Sequence, residues 1–389
     1  MIHVHHVGAR SGSHSFPLNK IFDSEIFLVM YDADENCIEQ IEDELKQNNV
    51  NYKVINSGVG EKSENRTLYL NYDPNTSSFL KVNQKYSEYY YSSAGKYDYV
   101  VGDSYSVVKK CSVNVKPLDE LCNEYNVSYP DVLSMDTQGT ELEILKGAIK
   151  SLKNSVAVLT EVSFLPLYEN QPLFNDVNEY LTDQGFIFCR FYGEHSDMSP
   201  IRAPIGARAK GLMVAADAIY LKNPDFIVEG NFSDKDKSRM LMNLSYIALV
   251  YGMFEYSMKC IRLVNYSDSS FQKNKIFCFM NSLYHEFESL TNYPEIFSDV
   301  YSVNESIGRF RSNKILTKPS RFKLFVKSSF LYDAILPYRK YRIVVKLFCS
   351  TLKNYFSVKI IKDSNIENLL IKHGMKELAI NIKKSRLNL

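Results

Sequence analysis

The sequence predicts an α/β fold: a largely parallel sheet with helices on both faces, followed by a mostly helical carboxy-terminal region. Three observations point to it. From Met1 to about Asn223, apolar runs of strand character alternate with stretches of helical periodicity. Several of these runs end in an acidic residue, as in IFLVMYD, VLSMD and VAVLTE. The first run, IHVHHV, leads into the glycine-bearing turn GARSG. Glycines and carboxylates gathered at strand ends suit a ligand crevice at the carboxyl edge of a parallel sheet.

Taken in order, IHVHHV gives the first strand, GARSGSHS a turn, and IFLVMY the second strand. Ile38, Ile41 and Leu45 recur at helical spacing, and YKVINS is a short third strand. Residues 61–110, rich in Tyr, Ser and Asn, read as a strand or two plus a long loop over the upper edge of the sheet. VLSM then delivers Asp136. Thr140 followed by Glu143 matches a capping box, and Leu142, Leu145, Ile149 and Leu152 trace one face of a helix. VAVLTE is a buried strand ending at Glu161, and Phe174, Val177 and Leu181 line a helix that Gly185 stops. FIFCRFY and AADAIYL complete a sheet of six or seven strands. Past Asn223 and Pro224, MLMNLSYIALVYGMFEYSMKCIRLV reads as a helical hairpin broken near Gly252, and KIFCFMNSLYHEFESL as a further helix. The expected divisions are 1–223, a helical region 224–305, and a basic, amphipathic, mostly helical tail 306–389.

At 389 residues the chain exceeds one ordinary domain, and 45% apolar with 23% charged residues is normal for a globular protein. Seven cysteines without a C-x-x-C pair suggest neither a zinc ribbon nor a disulfide framework, so a reducing cytoplasm is expected. The sequence has no recognisable secretory leader and no apolar window long enough to span a bilayer. The net charge of +1 hides an asymmetry: residues 306–389 carry 19 basic and 4 acidic residues, so the remainder has an acidic excess. Basic and apolar residues interleave in that tail, which fits an anionic membrane surface at the inner face of the membrane. A basic helical domain with a solvated face is the competing reading; nucleic acid is disfavoured because no nucleic-acid motif accompanies the tail.

The chemistry concentrates at the strand ends. Gly8 and Gly12 allow a tight turn and close approach of a ligand, although a plain β-to-α turn uses the same residues. Asp32 ends the second strand about 20 residues on, where a carboxylate accepts ribose hydroxyls; Asp34 is placed to cap the next helix. Asp136 and Glu161 also end strands and are candidate general bases, or ligands of a divalent metal that would acidify a hydroxyl. No metal site is otherwise indicated. Glu141 falls in a first helical turn, where the dipole favours a carboxylate. His3 and His5 alternate with His6 across a strand, so the three do not converge on a metal, and His14 and His195 read as loop residues.

PDVLSMDTQGTELEILKGA resembles the central signature of the FkbM-type methyltransferases, and VLTEVSFLPLYENQPLFNDVNEYLTDQGF is similar to that family's next strand and helix. The resemblance covers roughly residues 1–223. It implies a Rossmann-like class I methyltransferase sheet, S-adenosylmethionine as donor, and O-methylation of a hydroxyl-bearing small molecule or glycan acceptor, such as a sugar of a surface glycan or its precursor. Gly8 and Gly12 match the family's cofactor turn, Asp32 its ribose acid, Ser57 and Gly58 its adenine-side loop, and Asp136, Gln138, Gly139 and Glu141 its central motif. His6 stands where the family usually has an acid and Arg10 where it often has Asn, so the cofactor is held more weakly there or by other groups. The alternative expectation is a non-catalytic adenosyl-binding or interaction module with a membrane-binding tail.

Overall fold

The computed structural model describes residues 1–11, 16–47, 50–91, 99–204, 210–264, 274–291 and 365–387. Gly12, His14 and most of the basic tail lie outside the described residues. The chain forms two compact units, Met1–Cys278 and Phe279–Leu389.

In the first unit, β1 (Ile2–Val7), β2 (Ile26–Asp32), β3 (Asn51–Asn56), β8 (Val132–Met135) and β9 (Ala157–Ser163) lie parallel. Two long strands, β10 (Phe186–Ser199) and β11 (Leu212–Lys222), and the two-residue β6 (Tyr90–Tyr91) extend the sheet antiparallel. The order is β3-β2-β1-β8-β9-β11-β10-β6, eight strands where six or seven were expected. Because β2 lies on one side of β1 and β8 on the other, the chain reverses direction across the sheet there. That switch point opens a crevice at the carboxyl ends of β1 and β8.

Residues 61–110 do more than loop over the sheet. A second sheet forms from β4 (Gly58–Val59), β5 (Glu64–Asn71) and β7 (Val107–Lys116), in the order β4-β7-β5. Most of β7 is exposed, so it lacks the apolar signature of a buried strand.

Helices cover the main sheet as their periodicity predicts. In α1 (Ile38–Lys46), Ile41 and Leu45 are buried; in α6 (Phe174–Asp183), Val177 and Leu181 are buried and Gly185 ends the helix at φ +80°. The helix after Asp136 differs from expectation. It breaks into α4 (Glu141–Lys146) and α5 (Ile149–Asn154), because Gly147 sits so close to the Gly60 carbonyl that a Cβ would come within 2.1 Å of it. The break shifts the helical phase: Ile144, Leu145 and Leu152 are buried while Ile149 is 66% exposed. The capping box does not form either, since Thr140 makes no side-chain cap and Glu143 pairs with Arg66.

The expected helical hairpin is α8 (Asp234–Val250) and α9 (Phe254–Arg262), separated by Gly252 at φ +79°. Ser233 caps α8 by accepting from Asp236 N at 3.1 Å. Arg239 of α8 pairs with Asp131, whose other oxygen accepts from His3 N at 2.9 Å, so one carboxylate ties the helix to the start of β1. Lys222, at the end of β11, is buried, and among the described residues no carboxylate pairs with it. Its Nζ donates to Leu152 O at 2.9 Å and Gln184 O at 3.2 Å and lies 3.9 Å from the centroid of the Phe186 ring, and burial pushes its pKa down to about 7. In the second unit, α11 (Ile366–Lys372) and α12 (Lys376–Leu387) follow one another. No described helix is long and apolar enough to cross a membrane.

Candidate functional site

Gly8 follows β1 at φ +84°, and its N–H donates to Tyr31 O at 3.0 Å. A Cβ at this position would fall 1.9 Å from Asp136 O, so only glycine lets the first turn lie against the turn after β8. Two residues on, the Arg10 guanidinium pairs with the Asp34 carboxylate. Asp34 also caps the next turn by accepting from Asn36 N at 3.1 Å, the role read from sequence. Asp32 closes β2 and is only 8% exposed; its Oδ1 accepts from Asp34 N at 2.9 Å, and burial pushes its carboxyl above the usual range. Its backbone carbonyl accepts from Ser57 N at 3.0 Å, which fixes the start of the turn after β3.

These turns surround a cleft open to solvent at the switch point of the sheet. Gly8, Arg10, Asp32, Ser57, Gly58, Asp136 and Gln138 all line it. Leu68, Leu70 and Phe79, from the stretch read as a strand and loop, supply an apolar wall.

Three predicted residues stand elsewhere. His6 does not line the cleft: it is buried in β1 with Nδ1 2.9 Å from Ser134 Oγ, and burial pushes its pKa down to about 4. Glu141 is turned into the loop before α4, where its carboxylate accepts from Thr137 N at 2.9 Å, Thr137 Oγ1 at 3.0 Å and Gly139 N at 3.1 Å. Glu161 lies beyond Asp136, away from the cleft lining. His195 belongs to β10 rather than a loop, 3.6 Å from Asp197. His5 contacts the Tyr31 hydroxyl at 3.1 Å, away from the Ser134 contact of His6, as strand alternation expects. Among the described residues no group of three His, Cys, Asp or Glu side chains could hold a metal ion.

The loop that Glu141 organises holds Gln138 at φ +56° and Gly139 at φ +103°. From there Gln138 Nε2 donates to Asp136 Oδ1 at 2.9 Å and to Glu161 Oε2 at 3.1 Å, bridging the two candidate bases. The Tyr168 hydroxyl lies 3.1 Å from Gln138 Oε1 and donates to Thr76 O at 2.6 Å. Sequence reasoning missed a third acid, Asp217, which faces Glu161 directly in the β9–β11 register. The available signal was an acid inside the otherwise apolar strand AADAIYL. Asp136 opens to the cleft, yet the protein around it still raises its carboxyl, an effect the Gln138 N–H offsets. Glu161 is pushed well above its ordinary value by burial and then by the charges of Asp136, Glu141 and Asp217; Asp217 rises to about 6 through burial and Asp136.

No curated protein matches the sequence. A solved structure, magnesium protoporphyrin IX methyltransferase (ChlM) from Synechocystis PCC 6803 with bound SAM, is similar at 10% identity and a TM-score of 0.27 over 57% of this chain and 69% of that one. The family model described as the methyltransferase FkbM domain matches residues 6–188, the stretch that holds the glycine turn, Asp32 and the Asp136–Glu161 pair.

Proposed function

We propose that the first unit is an S-adenosylmethionine-dependent O-methyltransferase that acts on a hydroxyl of a sugar, in a surface glycan or its precursor. The observation that carries this reading is a single cleft at the sheet's switch point lined by Gly8, Asp32, Ser57, Gly58 and Asp136. The fit to the donor rests on chemistry those residues supply. Gly8 leaves the backbone bare where a Cβ would strike Asp136 O, and Asp32 offers a carboxylate at the strand end where ribose hydroxyls are held. Ser57 and Gly58 border the adenine side, against the apolar wall that includes Phe79. When bound, S-adenosylmethionine supplies a methyl group on a sulfonium centre.

The chain's own residues then position and deprotonate the acceptor. Much of the acceleration in such a transfer comes from holding the two reacting atoms in line, ~3–3.5 Å apart. The acid pair Asp136 and Glu161, of which Asp136 lines the cleft and Glu161 is joined to it through Gln138, takes the hydroxyl proton. The basic tail 306–389 brings the protein to an anionic membrane surface on the cytoplasmic side, where a lipid-linked acceptor would be found.

The test is transfer of a tritiated methyl from S-adenosylmethionine to a panel of mono- and oligosaccharides. Label should enter a saccharide and be lost with Asp136→Ala; transfer to none of the panel by folded protein overturns the sugar assignment. Flotation of the full chain with acidic liposomes at low salt, reversed at high salt, tests the membrane contact. Equal flotation with neutral liposomes removes it.

A further inference from the structure

Beside the donor cleft, a second depression opens at the short turn Pro74–Thr76. Its described lining is Tyr72, Asp73, Pro74, Tyr99, Asp103 and Ser104, and Pro74 lines the cleft as well, so the two hollows meet across one residue. The turn is fastened to the loop that carries Asp136. The Tyr168 hydroxyl donates to Thr76 O at 2.6 Å and lies 3.1 Å from Gln138 Oε1, and Ser78 Oγ donates to Gln138 O at 2.7 Å. A ligand that lies in the cleft beside Asp136 and extends past Pro74 enters this depression.

The depression is built in advance of any ligand. Tyr72 N donates to Ser106 O at 2.8 Å and Asp73 N to Ser104 O at 3.0 Å, which fixes the backbone under both side chains. Tyr99 packs on Tyr91 with ring centroids 4.9 Å apart, and its carbonyl accepts from Tyr91 N at 3.0 Å. Asp73 Oδ1 accepts from Asn75 N at 3.1 Å, so that carboxylate is oriented too. Yet Tyr72 is 73% exposed, the highest value of any large apolar side chain among the described residues, and Tyr99 is 37% exposed. Two aromatic rings on a fixed backbone offer contact area at little cost in conformational entropy.

We propose that this depression is a second sugar subsite, so that the acceptor is a neutral oligosaccharide with one residue in the cleft and its neighbour against Tyr72 and Tyr99. This rests on the sugar methyltransferase reading above. The face of an aromatic ring is electron-rich and meets the C–H groups on the flat face of a pyranose. Asp73 and Asp103 accept hydrogen bonds from hydroxyls at the ring's edge, and such bonds to a charged acceptor are strong. The described lining holds two carboxylates and no Lys or Arg, so a phosphate or uronate is repelled at this position.

The chain has no tryptophan, so Tyr72→Trp in the full-length protein sets a single indole in the depression and keeps an aromatic face there. Its emission should shift saturably on titration with at least one of maltohexaose, cellohexaose and chitohexaose. The matching monosaccharide should need about tenfold higher concentration, as expected when one stacking contact is lost, and hexagalacturonate should give no shift. With the responding hexasaccharide as methyl acceptor, Tyr72→Ala should raise KM about tenfold with kcat unchanged, and its affinity for S-adenosylhomocysteine should equal that of wild type. An emission unmoved by all three neutral hexasaccharides overturns the subsite, as does an equal response to hexagalacturonate or a wild-type KM in Tyr72→Ala. A response to tetralysine with none to the sugars overturns it in favour of a basic peptide. Failure of folded wild-type protein to bind S-adenosylhomocysteine overturns the methyltransferase reading instead, and the emission titration then decides the sugar subsite alone.

Discussion

Asp217→Asn should stabilise the protein, and only above a certain pH. The side chain is half-buried, accepts from no cation among the described residues, and its pKa is pushed from 3.8 to about 6 by burial and by Asp136. Between these two values the native state keeps a proton that the unfolded chain releases, so native stability falls as pH rises through the window and stays lowered above it. The gap corresponds to roughly 3 kcal/mol at ~1.4 kcal/mol per pH unit, and solvent screening of a half-buried group leaves about 2 kcal/mol. Asparagine is nearly isosteric and does not titrate. Thermal unfolding of the two proteins should therefore diverge from pH 5 to pH 7.5, with the variant gaining several degrees at the higher pH. The wild-type carboxylate also raises Glu161, so its removal relieves that neighbour too. An equal difference at both pH values, or a variant less stable at pH 7.5, would refute an uncompensated carboxylate at this position.

Other substitutions probe the scaffold. Glu141→Ala removes the acceptor of Thr137 N, Thr137 Oγ1 and Gly139 N and should cost about 3 kcal/mol in chemical denaturation, with Glu141→Gln costing less than half of that. Gly8→Ala drives a Cβ into Asp136 O and should abolish measurable S-adenosylhomocysteine binding while the far-ultraviolet circular dichroism of the fold is retained. His6 is buried neutral with a pKa of about 4, below its ordinary 6.5, so the unfolded state gains protons first as pH falls through that interval and stability is lost. His6→Asn should escape roughly 2 kcal/mol of that loss between pH 7 and pH 5, at ~1.4 kcal/mol per pH unit, read as a smaller drop in melting temperature over that range.

The central sheet was legible because its strands are buried on both faces and read as near-continuous apolar runs, and because α1 and α6 each present one apolar face. The second sheet was not. β7 reads VVKKCSVNVK and is mostly exposed, and its partners β4 and β5 lie far away in sequence, so pairing rather than composition makes it a strand. The break between α4 and α5 is equally nonlocal, since it depends on the approach of Gly147 to Gly60. At the site, acids at strand ends were visible as sequence pattern, and Asp32 and Asp136 reach one cleft. Glu141 read as a first-turn carboxylate, but its partners are N–H groups of the preceding loop, which sequence spacing does not distinguish from a helix-dipole role. Asp217 escaped notice because its neighbour Glu161 is brought to it only by an antiparallel pairing of β11 with β9.

A donor site at the switch point of the sheet is tested most directly by calorimetric titration of the full chain with S-adenosylhomocysteine. Wild-type protein should bind saturably at one site. Asp32→Asn keeps an acceptor for Asp34 N but removes the charge, and should weaken binding by about 10- to 150-fold, the ~1.5–3 kcal/mol carried by hydrogen bonds to a charged group. No binding by folded wild-type protein, or equal binding by the variant, would contradict a donor site there.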